Sequence, residues 1–210
     1  NGLCITSSEG FRLPEMPRRV VIQGAGYIAM EFAGIFNALG AKVTVVNRSD
    51  QILRGYDEAL RDRLMQITLA RGIDYRFNSP IERVEKRPDG RLSVHTAGNP
   101  DTLSADIVLV ATGRRPKTDG LGLENAGVAL GANGEIPVDE YNRTSCPSIH
   151  AVGDVTDRVQ LTPVAIREGH ALADTLFGGK PRTIDYDLIP SAVFSQPPLA
   201  GVGLTERQAR

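Results

Sequence analysis

A glycine-rich turn between an apolar stretch and a helical pattern, in the run VVIQGAGYIAMEFAGIF, constrains the fold of this chain more than any other segment. Gly24 and Gly26 follow the apolar residues 20–22, and Ala29 takes the third small position of a GxGxxA pattern. The first glycine permits a tight strand-to-helix turn, the second lets the backbone approach a pyrophosphate, and Ala29 lets the helix pack close to its strand. The start of that helix favours an anion. The run therefore predicts a dinucleotide-binding unit.

A GxGxxA turn alone is equally consistent with a purely structural glycine turn, so its surroundings decide between the two. A helical pattern of apolar residues follows the turn, and Gly40 is placed to end that helix. A second strand is expected at residues 42–46, and it ends where a ribose would be recognised. The apolar positions of the helix are Ile28, Phe32, Ile35, Phe36 and Leu39.

The residues after the second strand indicate which dinucleotide is bound. An NAD site usually has Asp or Glu here to accept the ribose hydroxyls, whereas this chain has Asn47, with Arg48 next and Arg54 six residues further on. A carboxylate would repel a 2′-phosphate, and two guanidinium groups can bind one through charge-assisted hydrogen bonds. Solvated surface arginines are the alternative, and Asp50 between them would weaken such a site. The pattern favours NADPH over NADH.

Composition excludes several classes of protein. The formal net charge of −1 over 210 residues argues against a nucleic-acid surface, and no apolar run approaches the roughly twenty residues of a membrane span. Cys4 and Cys146, the only cysteines, lie far apart and suggest neither a secreted disulfide framework nor a metal site. We expect a soluble cytoplasmic protein that binds no metal, no nucleic acid and no membrane.

The two ends of the sequence resemble cut sites. The chain does not begin with Met, and residues 205–208 have the [ST]-x-x-[EQ] spacing of a helix capping box only two residues before the last position. We therefore expect an internal fragment of a longer protein.

Periodic patterns predict alternating strands and helices in the first half of the chain, and a less regular second half. The expected elements after the arginine pair are a helix (57–70), a strand (73–77), a hairpin or meander (81–86 and 91–96) and a buried parallel strand (106–111). The second half is expected to hold short strands (135–139, 148–152, 191–194 and 199–204) and one helix, with Thr162 as N-cap and Pro163 as its first residue, ending near residue 177.

Six segments in register resemble the flavin-dependent pyridine nucleotide–disulfide oxidoreductases, and within them the glutathione reductase branch. They are GAGYIAMEFAGIFNALG, the arginine pair, VLVATGRRP, TSCPSIHAVGDVTD, QLTPVAIREG and AVFSQPPLAGVGLTE. The resemblance implies an α/β fold in which a Rossmann-like NADPH-binding domain with a β-meander (1–117) is inserted in an FAD-binding domain of similar fold (returning at 118–184). The start of an α+β dimerisation domain (185–210) would follow.

The resemblance also implies roles for matched positions. Tyr27 resembles the aromatic gate over the flavin, and Glu31 the family's glutamate near the reacting ring, whose partner we expect outside this chain; these two are the implied catalytic residues. The implied NADPH-binding residues are Gly24, Gly26, Tyr27, Ile28, Ala29, Glu31, Arg48, Arg54, Gly113 and Arg114. The implied FAD-binding residues are Asp154, Leu161, Thr162 and Pro163, with the carboxylate on the ribityl or ribose chain and the helix start at the pyrimidine edge.

The implied function is NADPH- and FAD-dependent reduction of glutathione disulfide by a homodimer. The family's CxxxxC pair and first FAD fingerprint do not occur in these residues, so the segment alone is expected to be inactive. His170 stands where some glutathione reductases have an arginine for substrate. A trypanothione-type or other disulfide reductase, and an NADPH-binding module without turnover, remain alternatives.

Overall fold

The computed structural model describes residues 2–210, so the expected domain start at residue 1 lies just outside it. The chain forms two compact units. The first contains the described residues up to Gly113 together with Pro190–Arg210, and the second contains Arg114–Ile189. Whether these pieces correspond to NADPH, FAD and dimerisation domains stays a prediction.

All nine strands of the described chain lie in the first unit, together with four of its five α-helices. The strands are β1 (Arg19–Gln23), β2 (Lys42–Val46), β3 (Ile73–Arg76), β4 (Ile81–Lys86), β5 (Leu92–Thr96), β6 (Asn99–Ala105), β7 (Ile107–Val110), β8 (Ser191–Val193) and β9 (Leu199–Gly201). The helices are α1 (Ser7–Gly10), α2 (Tyr27–Ala38), α3 (Glu58–Ala70), α4 (Thr162–Phe177, in the second unit) and α5 (Glu206–Ala209).

A parallel sheet of order β3-β2-β1-β7 forms the centre of the first unit. Alternate residues of β1 point to opposite faces, and both faces are covered. Val20 and Ile22 belong to the apolar cluster that includes the α2 residues, whereas Val21 belongs to the cluster that includes the β5 residues. Burial on both faces explains why the three central residues of β1, 20–22, are all apolar. The expected α/β fold with a buried parallel sheet is confirmed.

The β-meander has one strand more than the sequence patterns indicated. Strands β4, β5 and β6 pair antiparallel in that order, and β6 was not expected. Its sequence NPDTLSA is polar and contains Pro100, so it has no strand-like periodicity. Proline is tolerated there because β6 is an edge strand.

The second unit has less regular structure than expected. Residues 135–139 form no strand, and residues 148–152 contribute only an isolated bridge between Arg143 and His150. These short apolar runs instead supply buried residues, Ile136 and Ala151, to a small separate cluster. Residues Gly153–Thr156 form a 3₁₀ helix immediately before the segment that leads into α4.

The start of α4 lies one residue earlier than expected. Leu161, in an extended conformation, is the N-cap, so Thr162 is the first residue of the helix and Pro163 the second. No side chain caps this end of the helix. The expected capping box at Thr205 is present, with Thr205 and Gln208 bonded reciprocally at the start of α5.

Replacement of Ile22 by Ala should lower the free energy of unfolding by about 2–5 kcal/mol, because a fully buried side chain would leave a cavity in the sheet core. Leu69→Ala is the control, since Leu69 lies on α3 with 47% of its surface exposed. Urea unfolding followed by circular dichroism measures both variants. Equal midpoints for the two would contradict the burial of Ile22 in the apolar cluster that includes the α2 residues.

Candidate functional site

Gly24 is required to be glycine by two features of the turn after β1. Its φ of +111° is strained for residues with a side chain, and a Cβ there would lie 2.3 Å from the carbonyl oxygen of Ala111. Its N–H donates to the carbonyl of Val46 at 2.9 Å. The turn is thereby held between the carboxyl ends of β2 and β7.

Gly26 serves a different purpose from Gly24. It is the N-cap of α2, no side chain caps that helix end, and its φ of −78° is accessible to any residue. Gly26 is exposed, and a Cβ there would meet nothing within 4 Å. Ala29 is completely buried against the core. The open backbone at Gly26 and the uncapped start of α2 suit a diphosphate.

Tyr27 and Glu31 lie one helical turn apart on α2, and both are partly buried. Tyr27 packs against the main apolar cluster, as does Ile28. Glu31 has a partner within this chain, because its carboxylate accepts a hydrogen bond from the backbone N–H of Phe194 at 2.9 Å. The expected partner outside this chain stays a prediction. The Phe194 contact was not anticipated, because a backbone N–H carries no sequence signal that could have revealed it.

The arginine pair lies on the loop that follows β2. Asn47 uses its side-chain amide to shape this loop, donating to Ser49 Oγ at 2.8 Å and to the carbonyl of Gln51 at 3.0 Å. Arg48 and Arg54 are exposed, and within residues 2–210 neither guanidinium forms a hydrogen bond or an ion pair, including with Asp50. Both guanidinium groups are therefore available to an anion.

Two buried aliphatic residues fasten the arginine loop to the glycine turn. Ile52 and Leu53 are 1% and 2% exposed, and Leu53 has a positive φ of 48°. The Leu53 N–H donates to the carbonyl of Ala25 at 2.8 Å. This contact, which sequence patterns did not indicate, places Arg54 one residue from an anchor on the turn itself.

Arg54 also lines a cavity of about 420 Å³ in the first unit. Arg61, from the second turn of α3, contributes to the same wall and donates to Gln51 Oε1. The remaining lining comes from Gln51, residues 55–58, residues 205–208 and Arg210. The cavity is large enough for part of a nucleotide.

In the second unit, the structure brings together two residues for which the sequence implied separate ligands. The guanidinium of Arg114, implied for NADPH, forms an ion pair with the carboxylate of Asp154, implied for FAD. Both side chains are about half exposed. Gly113, which precedes Arg114, is exposed with a φ of +144°. Arg114 therefore orients the Asp154 carboxylate.

The first residues of α4 are accessible. Leu161 is partly buried, and Thr162 and Pro163 are exposed at the end of the helix that no side chain caps. The positive end of a sixteen-residue helix is suited to an electron-rich or anionic group. His170, on the same helix, is also exposed.

The sequence patterns did not indicate the buried polar network that lies beside Asp154. Glu168 is 1% exposed, and its carboxylate accepts hydrogen bonds from the Gly153 N–H and the Tyr186 hydroxyl, each at 2.5 Å. Arg158 approaches the same carboxylate at 3.3 Å. Burial, followed by the Glu168 hydrogen bond, raises the pKa of Tyr186, so its hydroxyl remains a donor. A glutamate in an amphipathic helix ordinarily faces solvent, so its spacing carries no warning of burial.

Neither cysteine has a disulfide partner in the described chain. Cys4 is exposed, and Cys146 is partly exposed with its sulfur 3.5 Å from the Ser148 hydroxyl. Hydrogen bonding to Ser148 lowers the pKa of Cys146. Within residues 2–210, no group of three or more His, Cys, Asp or Glu residues is arranged to hold a metal ion. Among the described helices, none is both long and apolar enough to cross a membrane.

A family model for pyridine nucleotide-disulphide oxidoreductases matches residues 2–169. The chain is 54% identical over 209 residues to a glutathione reductase of Burkholderia cepacia, covering 99% of this chain and 46% of that protein. It is 49% identical over 209 residues to a trypanothione reductase of Trypanosoma congolense, covering 98% of this chain and 42% of the relative.

Two further matches agree with these. A chloroplastic/mitochondrial glutathione reductase of Pisum sativum is 50% identical over 206 residues, covering 98% of this chain and 37% of that protein. Among solved structures, the HOCl-induced flavoprotein disulfide reductase RclA from Escherichia coli has a TM-score of 0.93 and 34% identity, covering 99% of this chain and 47% of the other. The chain thus spans less than half the length of these relatives.

The two glycines of the turn should respond differently to alanine. Gly24→Ala should lower the thermal midpoint by several degrees or prevent folding, because of the clash with Ala111 and the positive φ. Gly26→Ala is the matched control and should leave the midpoint nearly unchanged. Differential scanning calorimetry measures both. A stable Gly24→Ala variant would show that β7 does not approach the turn as described.

Proposed function

The chain belongs to the pyridine nucleotide-disulphide oxidoreductase family, and on that basis we propose that it serves an NADPH-dependent flavoprotein that reduces glutathione disulfide. The observation that carries the proposal is the pair of unpaired, exposed arginines, Arg48 and Arg54, on a loop anchored to the glycine turn. A neutral Asn47 stands where an NAD-specific site would have a carboxylate.

Several groups of the first unit are suited to successive parts of NADPH. The open backbone of Gly26 and the start of α2, with Ala29 packed behind, would hold the pyrophosphate. Arg48 and Arg54 would bind the 2′-phosphate through charge-assisted hydrogen bonds. Ile28 and the partly buried Tyr27 would contact the reactive half of the ligand.

The second unit fits part of an FAD molecule. Asp154 would accept hydrogen bonds from hydroxyls of the ribityl or ribose chain, held in place by Arg114. The uncapped start of α4, at Leu161, Thr162 and Pro163, would face the pyrimidine edge of the flavin and favour negative charge there. The accepting carboxylate and the uncapped helix start therefore suit a flavin, although the family's main FAD fingerprint does not occur in these residues.

The resemblance to the family supports the proposed roles of the chain's own residues in the reaction. Bound NADPH and FAD supply hydride donor and acceptor chemistry, and the protein supplies orientation and electrostatics. Tyr27 would supply the aromatic side chain that shields the flavin. Glu31, restrained by the Phe194 N–H, would place a carboxylate near the reacting ring. Gly113 and Arg114 would border the NADPH where it approaches the flavin.

Glutathione disulfide is the proposed substrate, with a trypanothione-type disulfide as the second candidate. Two of the relatives described above are glutathione reductases, at 54% and 50% identity, and one is a trypanothione reductase at 49%. His170 is exposed on α4. Compared with an arginine at this position, which would meet a glutathione carboxylate, the histidine would leave more space and less positive charge. We further propose a homodimer and a cytoplasmic location; the Pisum sativum relative carries a chloroplastic/mitochondrial name.

The Arg48→Ala/Arg54→Ala double variant should bring the affinities for NADPH and NADH together. At about 1.5–3 kcal/mol per charged hydrogen bond, the two arginines account for roughly 10²- to 10⁴-fold preference. Isothermal titration with each dinucleotide measures this preference.

Arg63→Ala/Arg87→Ala is the matched control, because it removes two exposed positive charges from the same unit outside the site. The control should keep the wild-type preference. A double variant at Arg48 and Arg54 that still bound NADPH far better than NADH would refute the 2′-phosphate assignment.

Steady-state assay of the full-length protein tests the activity itself. NADPH-dependent turnover of glutathione disulfide exceeding that of trypanothione disulfide in kcat/KM is the expected result. Preference for trypanothione disulfide would favour the second candidate. Tight NADPH binding with neither FAD retention nor dye reduction would favour a nucleotide-binding module without turnover.

A further inference from the structure

The buried carboxylate of Glu168 has no place in the reaction proposed above, although it touches the backbone next to Asp154. We propose that Glu168 is a positioning residue for the flavin: it fixes the Gly153–Asp154 turn relative to the start of α4. This inference rests on the proposed function, because it assumes that Asp154 and the α4 start contact FAD.

Glu168 joins three separate segments of the second unit. Its Oε2 accepts the hydrogen bond from the Gly153 N–H, and its Oε1 accepts the one from the Tyr186 hydroxyl, both at 2.5 Å. The guanidinium of Arg158 lies 3.3 Å from Oε1 and 4.9 Å from the centroid of the Tyr186 ring. A single carboxylate thus holds the turn, the segment after it and the segment that follows α4.

A second contact holds the same turn against the same helix. Gly153 has a φ of +76°, and a Cβ built on it would lie 3.1 Å from the Cβ of Ala165. Ala165 and Glu168 are three residues apart, so they lie on one face of α4. The turn is therefore fixed at two points along α4, once by close packing and once by a charge-assisted hydrogen bond.

Glu168 fixes the distance between the two proposed flavin contacts, Asp154 and the start of α4. Asp154 follows Gly153 directly in the 3₁₀ helix, and Thr162 lies six residues before Glu168 on α4, about 9 Å along the axis. Both contact points are thus tied to one carboxylate. A change in their separation would misplace the Asp154 carboxylate relative to the helix end.

Arg158 and Tyr186 keep the carboxylate from moving. Arg158 also donates to Oδ1 of Asn142, which is 2% exposed and has a φ of +63°. A buried ion pair is a poor means of gaining stability compared with apolar packing, because both groups lose hydration. A role in fixing geometry accounts for a buried glutamate at this position better than a role in stability does.

The test uses the full-length protein and measures FAD dissociation constants together with the visible circular dichroism of the bound flavin. Glu168→Ala should raise the dissociation constant about tenfold or more and alter the flavin signal, because the Gly153 N–H loses its acceptor. Glu168→Gln keeps an acceptor for that N–H and should restore part of the affinity. Tyr186→Phe leaves the Gly153 bond intact and should have the smallest effect.

Asp174→Asn is the matched control. Asp174 also lies on α4 and pairs with an arginine, Arg182, but it is 41% exposed and does not touch the Asp154 turn. This variant should bind FAD as the wild type does. Thermal midpoints recorded in parallel separate loss of stability from loss of positioning.

Each outcome decides the inference. Wild-type affinity and an unchanged flavin signal in Glu168→Ala and Glu168→Gln would overturn it, even if their thermal midpoints fell. Should Glu168→Ala fail to fold, an unchanged Glu168→Gln overturns it and a weakened, spectrally altered Glu168→Gln supports it. If Asp154→Asn weakens FAD binding while the Glu168 variants do not, the inference fails and the proposed function stands. A wild-type protein that takes up no FAD would overturn both.

Discussion

The close approach of Gly24 to the carbonyl of Ala111 is the constraint on which the first unit depends. It requires a residue without a side chain, and it brings the carboxyl ends of β1 and β7 together at the turn. The Leu53 N–H then fastens the arginine loop to Ala25 in that turn. The open backbone of Gly26 and two unpaired guanidinium groups consequently share one edge of the sheet, where ligands bind in open α/β folds.

The second unit is organised by charge instead of by a sheet. It has one small apolar cluster and little regular structure apart from α4. In the first unit, strand pairing holds segments that are distant in sequence. In the second unit, the hydrogen bonds of Glu168 do the same. The Arg114–Asp154 pair adds a surface restraint next to it. Because each buried polar group there has a partner, the network restricts the conformations open to this part of the chain.

Sequence patterns predicted elements well where burial follows a regular period. Strand β2 has the expected bounds, and β1, β7, α2 and α3 agree within one or two residues because their apolar positions repeat as strand or helix requires. Failures occurred where pairing depends on a neighbour. The polar β6 is a strand because β5 offers it hydrogen bonds, and residues 148–152 are not a strand because they find only one bridging partner. The N-cap of α4 is Leu161 and not the expected Thr162, because helix ends depend on backbone geometry.

The sequence by itself determined the tight glycine turn, the arginine pair with its neutral Asn47, and the family, because these depend on local geometry and on residue types at short spacing. Only the tertiary structure decided that Glu31 binds the Phe194 N–H, that Arg114 meets Asp154, and that Glu168 is buried beneath the Gly153 turn. Each of these contacts joins residues 15 to 163 positions apart. Local periodicity does not encode such contacts, since they arise only when the packed elements bring an acceptor and a donor to hydrogen-bonding distance.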